Sequence, residues 1–253
     1  MTKDTIASSS VSVSVVIPAH NEENIIEKSI NSLEEYISSS NSSQMSKYNF
    51  SILIAEDGSS DSTFDIIMRL SHKYSNIAVR HSPNKLGRGK AVKEAWRDSN
   101  ADIYAYLDAD FATRLSYFSI LIHKCNEGFD IVTGSRYIKH SNVERPFLRT
   151  VISRAYNSSI NMLFKTSVKD HQCGFKAVSK NARDIILEKS FFDDWFWDTE
   201  IFVIARYNGL KVTEFPIEWQ EKRGKKTPLK RLLKDMWIHG SGMLKLIGKK
   251  RYY

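Results

Sequence analysis

Short apolar runs rich in β-branched residues alternate along the chain with stretches in which apolar residues recur every three to four positions. The runs predict β-strands, and the periodic stretches predict amphipathic helices. Strands are predicted at 11–17, 50–55, 77–81, 103–107 and 129–134. Helices are predicted from Asn21, from Ser60, over 87–98 and over 149–164, with a solvated loop at 38–49. This alternation predicts a mostly parallel central sheet with helices on both faces.

Composition sets the broad class of the protein. The chain has 253 residues, 42% of them hydrophobic and 26% charged, which suits one large globular domain. No apolar stretch approaches the roughly 18 residues that span a bilayer, and the first residues lack the pattern of a secretory signal. Two cysteines, Cys125 and Cys173, form neither a disulfide framework nor a metal-ligand pattern. A cytoplasmic protein is therefore expected.

The net charge of +8 is unevenly distributed along the chain. Residues 221–253 contain eleven Lys and Arg against Glu221 and Asp235, a net +9, and leave −1 for the rest. After Pro228 the apolar residues fall at helical spacing, with basic residues between them. We therefore expect a flexible stretch at 1–10, one domain at 11–227 and a basic amphipathic helical tail at 228–253. Such a tail either lies on an anionic membrane surface or docks on the domain.

Nucleic acid is a less suitable partner for these cations. They are separate from the body of the chain, and no helix-turn-helix, zinc or RNA-binding signature accompanies them. We therefore expect no nucleic-acid binding.

Polar residues follow three of the predicted strands. The segments are Pro18-Ala19-His20-Asn21-Glu22, Glu56-Asp57-Gly58-Ser59 and Asp108-Ala109-Asp110. In open α/β sheets, ligands bind at the carboxyl ends of the strands. Paired carboxylates there suit Mg²⁺ or Mn²⁺, which are typically bound by one or two carboxylates and substrate phosphates. The arrangement suits a nucleotide diphosphate, although neither a P-loop ending nor a G-x-G-x-x-G fingerprint is present.

Further segments occur in a characteristic order: Gly134-Ser135-Arg136-Tyr137, the stretch from His171 to Lys176, Trp197-Asp198-Thr199-Glu200 and the stretch from Glu214 to Trp219. Together with the strand-end segments they resemble the motifs of family-2 inverting glycosyltransferases, over about residues 11–227. The resemblance implies a GT-A fold, a single Rossmann-like α/β domain. It is strongest to the polyprenyl-phosphate branch, which comprises dolichyl-phosphate mannose and glucose synthases.

Asp110-Phe111-Ala112-Thr113 is similar to the D-x-A-T run of the glucosyltransferases in that branch. The resemblance therefore implies transfer of glucose from UDP-glucose to dolichyl or another polyprenyl phosphate, with inversion. A GDP-mannose-dependent mannose synthase and another family-2 acceptor remain alternatives. Two positions depart from the family pattern: Glu56 replaces the first aspartate of D-D-G, and Lys225 stands where serine is common.

The resemblance also implies the site residues. The nucleotide-sugar site would comprise Pro18, Ala19, Asn21, Glu22, Asp57, Gly58, Arg88, Asp108 and Ala109. Mg²⁺ or Mn²⁺ would be held by Asp108 and Asp110. The catalytic residues would be Asp110, Asp170 and Arg136. The acceptor phosphate would be bound by Arg136, Arg149, Arg154 and Lys226.

Two expectations concern chemistry and location. An acceptor phosphate is already largely ionised at neutral pH, with a second pKa near roughly 6. It is therefore open whether Asp170 removes a proton or orients other groups. With a nucleotide-sugar donor and a polyprenyl phosphate acceptor as partners, we expect a peripheral protein on the cytosolic face of a membrane, bound through its tail.

Overall fold

The computed structural model describes residues 10–39, 45–220, 240–249 and 252–253. Its strands are β1 (Val11–Ala19), β2 (Tyr48–Asp57), β3 (Ile77–Ser82), β4 (Ile103–Leu107), β5 (Ile131–Ser135), β6 (Asn142–Glu144), β7 (Phe175–Ser179), β8 (Val212–Pro216) and β9 (Glu218–Gln220). Its helices are α1 (Ile26–Ser39), α2 (Thr63–Lys73), α3 (Arg88–Asp98), α4 (Phe118–Asn126), α5 (Phe147–Phe164), α6 (Lys180–Lys189) and α7 (Trp197–Tyr207).

A seven-stranded sheet in the order β3-β2-β1-β4-β7-β5-β8 forms the centre of the molecule. Strand β7 runs antiparallel to its neighbours β4 and β5, whereas the other adjacent pairs are parallel. Strands β6 and β9 form a small parallel sheet of their own. The predicted mostly parallel α/β sheet is therefore confirmed.

Both faces of the sheet are buried. On strand β4, Ile103, Ala105 and Leu107 pack in one core with α1, α2 and α4. Tyr104 and Tyr106 point to the other core, where α3, α6 and α7 pack. A strand covered on both faces has no polar side, which is why this stretch is an unbroken apolar run in the sequence.

Several predicted boundaries are wrong by a few residues. The first helix begins at Ile26, because Asn21 adopts a left-handed backbone conformation with φ 55° and its side chain accepts a hydrogen bond from Ser60. The predicted loop at 38–49 is shorter, since α1 reaches Ser39 and β2 begins at Tyr48. The fifth strand covers Ile131–Ser135, not 129–134. Helix α5 begins two residues early, and Gly87 is the N-cap of α3.

Part of the predicted tail docks on the domain. Residues 240–249 form a helix, here called the docked helix, whose Leu246 is fully buried. Leu246 packs against Ile160 and Phe164 of α5 and against Phe196 and Val203. The rest of the tail, 228–239 and 250–251, lies outside the described residues. None of the helices in the described ranges has both the length and the apolar character needed to cross a membrane.

Candidate active site

The paired aspartates lie where β4 ends, at the carboxyl edge of the sheet. The Asp108 N–H donates to the carbonyl of Gly174 at 2.9 Å, and Asp110 Oδ1 accepts from the Ala112 N–H at 3.1 Å. A Cβ on Gly174 would overlap the Asp108 carboxylate, so glycine is required for this close approach. The Asp108 side chain keeps 31% of its surface exposed. The pair is therefore held by the backbone and open to a ligand.

Arg88 is the cation of this centre. It lies in the first turn of α3, forms an ion pair with Asp108, and its Nε is 3.7 Å from Asp198 Oδ2. Its Cζ lies 5.0 Å from the ring centre of Tyr106 and 4.1 Å from that of Trp195. The Arg88 side chain is 11% exposed, and stacking between the two rings fixes the direction of its guanidinium. The predicted nucleotide-sugar residues Arg88 and Asp108 are thus brought together.

A buried ion pair lies behind Arg88. Lys176 Nζ donates to Asp198 Oδ1 at 2.5 Å, and the two side chains are 1% and 3% exposed. The same ammonium donates to the Cys173 carbonyl. Lys176 and Asp198 lie in two of the motifs named above, but the sequence assigned neither residue a role. The available signal was a lysine within an apolar strand and an aspartate in the first turn of an apolar helix.

The end of β2 is held against the loop before α3. Both carboxylate oxygens of Asp57 accept backbone hydrogen bonds, from Leu86 at 2.6 Å and from Gly87 at 3.1 Å. Gly58, with φ +64°, packs directly on the backbone of Asn84 and Lys85. Asp57 is 4% exposed and holds this loop in place. Its predicted contact with the base or ribose stays a prediction.

The remaining predicted nucleotide residues surround the same edge. Ala109 and Ala19 are buried, and Pro18 is half-buried. The Glu22 N–H donates to Thr63 Oγ1 at 2.8 Å, and the Glu22 carbonyl accepts from the N–H groups of Ile25 and Ile26 just at the start of α1.

Glu56, which departs from the family pattern, is buried. It accepts hydrogen bonds from Ser59 N–H and binds His81 Nδ1, both at 2.6 Å. The glutamate at this position therefore has a local partner in His81.

Arg136 and Asp170 form a closed pair. Arg136 Nε and Nη2 donate to the two oxygens of Asp170, both at 2.7 Å, and the Arg136 N–H adds a third bond at 3.0 Å. Asp170 is fully buried and the Arg136 side chain is 8% exposed. Burial acts to raise the pKa of Asp170, but the Arg136 guanidinium outweighs it and holds that pKa below its usual value. This geometry favours the orienting role for Asp170 over proton removal.

Arginines cluster beyond this pair, around the start of α5. Arg145, which sequence analysis missed, donates to the Tyr137 hydroxyl at 2.8 Å, and its Nε has no hydrogen-bond partner among the described residues. Burial and the neighbouring cations Arg136 and Arg149 lower the pKa of Arg145. Arg154 is exposed and lies 5.7 Å from the Tyr137 ring. A half-buried arginine such as Arg145, whose charge is only partly compensated, suits an anionic ligand.

Of the predicted acceptor residues, Arg149 lies near Arg145, and Arg154 lies near the Tyr137 ring that Arg136 also contacts, whereas Lys226 is outside the described residues. Beside them, the first turns of α5 expose apolar side chains. Phe147 is 83% exposed, Leu148 58% and Val151 44%. A cationic cluster therefore adjoins an apolar surface.

Comparison with known proteins identifies the class. Residues 14–186 match the family model described as Glycosyl transferase family 2, and the chain belongs to this family. It is 36% identical over 240 residues to Glycosyltransferase AglD of Haloferax volcanii, covering 93% of this chain and 37% of that protein. The chain therefore spans little more than a third of the length of this relative.

Another relative is dolichyl-phosphate beta-glucosyltransferase ALG5D of Trichomonas vaginalis, 30% identical over 231 residues, with 88% of this chain and 70% of that protein covered. Among solved structures, glucosyl-3-phosphoglycerate synthase of Mycobacterium tuberculosis, in complex with Mn²⁺, UDP and glucosyl-3-phosphoglycerate, matches with a TM-score of 0.68 at 18% identity. That match covers 94% of this chain and 80% of the other. It confirms the predicted GT-A fold.

Proposed function

We propose that the protein transfers glucose from UDP-glucose to dolichyl or another polyprenyl phosphate, with inversion at the sugar. The observation that carries this proposal is the cluster of arginines around the start of α5, away from the carboxylates of the paired aspartates in sequence and suited to an anionic acceptor. Arg145, whose Nε has no hydrogen-bond partner in the described part of the chain, lies beside Arg136 and Arg149. A donor diphosphate suits the centre of Asp108 and Arg88, and a phosphate acceptor suits the arginines. The names of the relatives AglD and ALG5D support the same reaction class.

The donor centre fits a divalent cation. Asp108 and Asp110 offer hard oxygen donors at an open edge, and the described residues include no cluster of three or more His, Cys, Asp or Glu that could hold a metal alone. Such a site suits Mg²⁺ or Mn²⁺, which would complete its coordination with substrate phosphates. When bound, the ion neutralises diphosphate charge and makes UDP a better leaving group.

The residues of this chain position the reactants. Arg88, clamped between Tyr106 and Trp195, binds the donor diphosphate, and Arg145 with Arg149 binds the acceptor phosphate. An acceptor phosphate oxygen attacks the anomeric carbon while the bond from that carbon to the UDP oxygen breaks, which inverts the configuration. Because the acceptor phosphate is already ionised at neutral pH, no strong base is needed. Asp170 then serves to orient Arg136.

A lipid acceptor also fits the surface next to the arginines. Phe147 and Leu148 project from the start of α5, beside Arg149. Apolar side chains flanked by cations suit the boundary between anionic headgroups and acyl chains. We therefore propose a peripheral protein on the cytosolic face of a membrane, with this surface facing the lipid.

A donor screen tests the proposal. UDP-glucose, GDP-mannose, UDP-GlcNAc and UDP-galactose are each offered with dolichyl phosphate and Mg²⁺ or Mn²⁺, and kcat/KM is measured. We expect UDP-glucose to give the highest value. A higher value for GDP-mannose would overturn the donor assignment, and no transfer to polyprenyl phosphate from any donor would overturn the acceptor assignment.

A matched pair of variants separates the two anion sites. Arg145→Gln should raise KM for the lipid phosphate by roughly tenfold or more, because it removes a charge-assisted contact. Affinity for UDP should be unchanged. Arg97→Gln removes an arginine on the surface of α3 that pairs with Glu94, and it should change neither constant.

A further inference from the structure

The loop over residues 190–196 forms one wall of the candidate donor centre. Trp195 in this loop is 52% exposed, and its ring stacks 4.1 Å from Cζ of Arg88. The Asp193 carbonyl accepts from Lys90 N–H at 3.0 Å in the first turn of α3, and a Cβ on Gly87 would come within 2.6 Å of the same carbonyl oxygen. The position of this loop therefore sets the position of Arg88.

Glu200 anchors the loop over residues 190–196 by hydrogen bonds to its backbone. This residue lies in the first turn of α7 and is fully buried. Its two carboxylate oxygens accept hydrogen bonds from the N–H groups of Phe191 at 2.8 Å and Phe192 at 3.0 Å. Burying a carboxylate is costly unless hydrogen bonds compensate. The loop and Glu200 therefore depend on one another.

A third hydrogen bond to Glu200 comes from a distant part of the sequence. The Tyr253 hydroxyl donates to Glu200 Oε1 at 2.5 Å. The Tyr253 ring centre lies 5.8 Å from that of Phe191, and its carbonyl accepts from Lys189 and Asn208, each at 3.3 Å. Tyr253 follows the docked helix, whose Leu246 is buried on the same domain. Tyr253 thus contacts both Glu200 and the loop over residues 190–196.

We propose that Glu200 and Tyr253 are positioning residues for donor binding. Tyr253 completes the hydrogen bonds of Glu200, Glu200 fixes the loop, and the loop fixes Trp195 against Arg88. The inference rests on the proposed function only in assigning Arg88 to the donor diphosphate. Neither residue touches the donor. A displacement of the docked helix together with Tyr253 would therefore change the affinity for the nucleotide sugar.

The test uses the full chain with Tyr253→Phe, which keeps the ring and removes the hydroxyl. The protein is labelled with 5-fluorotryptophan, the ¹⁹F resonance of Trp195 is assigned with Trp195→Phe, and UDP affinity is measured by calorimetry. We expect a shifted or broadened Trp195 resonance and a Kd for UDP raised by roughly three- to tenfold, less than the loss of a direct hydrogen bond to a charged group, because the hydroxyl acts on the donor site through the loop. The KM for the lipid acceptor should be unchanged. Tyr74→Phe, which likewise removes a hydroxyl that donates a hydrogen bond, here to Asn31 on the other side of the sheet, should leave all three readouts as in the wild type.

An unchanged Trp195 resonance in Tyr253→Phe would overturn the proposal, and so would a lower melting temperature with unchanged UDP affinity. Glu200→Gln is a second variant, which replaces one acceptor oxygen by a donor and should act in the same direction with a larger effect. If the wild-type protein binds no UDP, the proposed function fails. The Trp195 resonance, measured without nucleotide, then still decides whether Tyr253 holds the loop.

Discussion

Asp170 shows how the surroundings of a residue revise the role that its type suggests. An aspartate beside a reacting sugar suggests a base, and an arginine after a strand suggests a phosphate ligand. In the structure each satisfies the other through two hydrogen bonds of 2.7 Å. A buried charge is tolerated when it is paired, and removing one partner leaves the other uncompensated. We therefore expect Asp170 to matter first for the fold of the 170–174 turn.

Replacing Asp170 by Asn should lower the free energy of unfolding by about 3 kcal/mol, because Arg136 would remain as a buried unpaired cation. Urea denaturation at pH 7 measures this loss. The folded-state pKa of Asp170 lies below its ordinary value. Its contribution to stability is therefore complete above that ordinary value, near pH 4, and is lost as the pH falls through the folded-state pKa. Asp170→Asn should remove this part of the acid dependence.

Asp184→Asn is the matched control. It removes the carboxylate that pairs with Arg183, and the Asp184 side chain is 58% exposed. Its cost should stay below about 1 kcal/mol. If Asp170→Asn unfolds like the wild type yet loses turnover, the residue acts in the chemistry instead.

Residue types and motif order were sufficient to locate the paired aspartates at the end of β4. They were not sufficient for the contacts among Arg88, Asp198 and Lys176. Those residues come from α3, α7 and β7, and their proximity depends on the antiparallel insertion of β7 beside β4. Spacing along the chain carries no information on such a contact. Arg145 was missed for the same reason. Its neighbours depend on where the chain enters α5, which spacing along the chain does not show.

At the scale of elements, strands β1 to β5 and helices α1, α2, α3 and α5 were predictable, whereas the buried helix α7 and the strand β7 were not. Nine of the eleven residues of α7 are buried, so the helix shows no polar face and no readable 3.6-residue period. Strand β7 has only five residues, includes Lys176, and overlaps the stretch from His171 to Lys176, so it shows no apolar run of its own. By contrast, α1 and α2 each bury one stripe against the sheet and were predicted.

The docking of residues 240–249 gives a prediction for an element. A Cβ on Gly242 would lie 2.5 Å from Cδ2 of Phe196, a fully buried side chain. Gly242→Ala should therefore displace the docked helix and lower stability by about 1–3 kcal/mol, as overpacking does. Gly248→Ala meets no atom within 4 Å and should raise stability by roughly 0.5–1 kcal/mol through helix propensity. The two urea midpoints should move in opposite directions. Equal stabilisation by both would show that the helix does not dock in solution.

Over the whole molecule, positive charge is concentrated towards the C-terminal end of the chain. Residues 221–253 carry +9 whereas the rest of the chain carries −1. Leu246 and Tyr253 contact the domain, so this part of the tail is structural. Deleting the tail would therefore disturb the domain as well as any membrane contact. Charge substitutions that keep its length are a cleaner test of the predicted membrane binding.

We predict that replacing Lys230, Arg231 and Lys234 together by Gln weakens binding to anionic vesicles by roughly 100-fold. Each basic residue near such a surface contributes about 1 kcal/mol. Co-sedimentation at rising salt measures the effect, and high salt should weaken wild-type binding in the same way because exposed charges are screened. The control replaces Lys73, Lys124 and Lys211 of the domain by Gln, which removes the same charge and should have little effect.

Phe147→Ser with Leu148→Ser tests the other contact. These side chains are exposed on α5, so their loss should weaken vesicle binding by an amount that salt does not change, because burial of apolar surface is not screened. Combined with the tail substitutions, the two losses should add if the surfaces touch the same membrane independently. Vesicle binding that is unaffected by the tail substitutions would mean that the cations of the tail do not face the lipid. The start of α5 would then be the main contact through which a polyprenyl phosphate reaches the arginines.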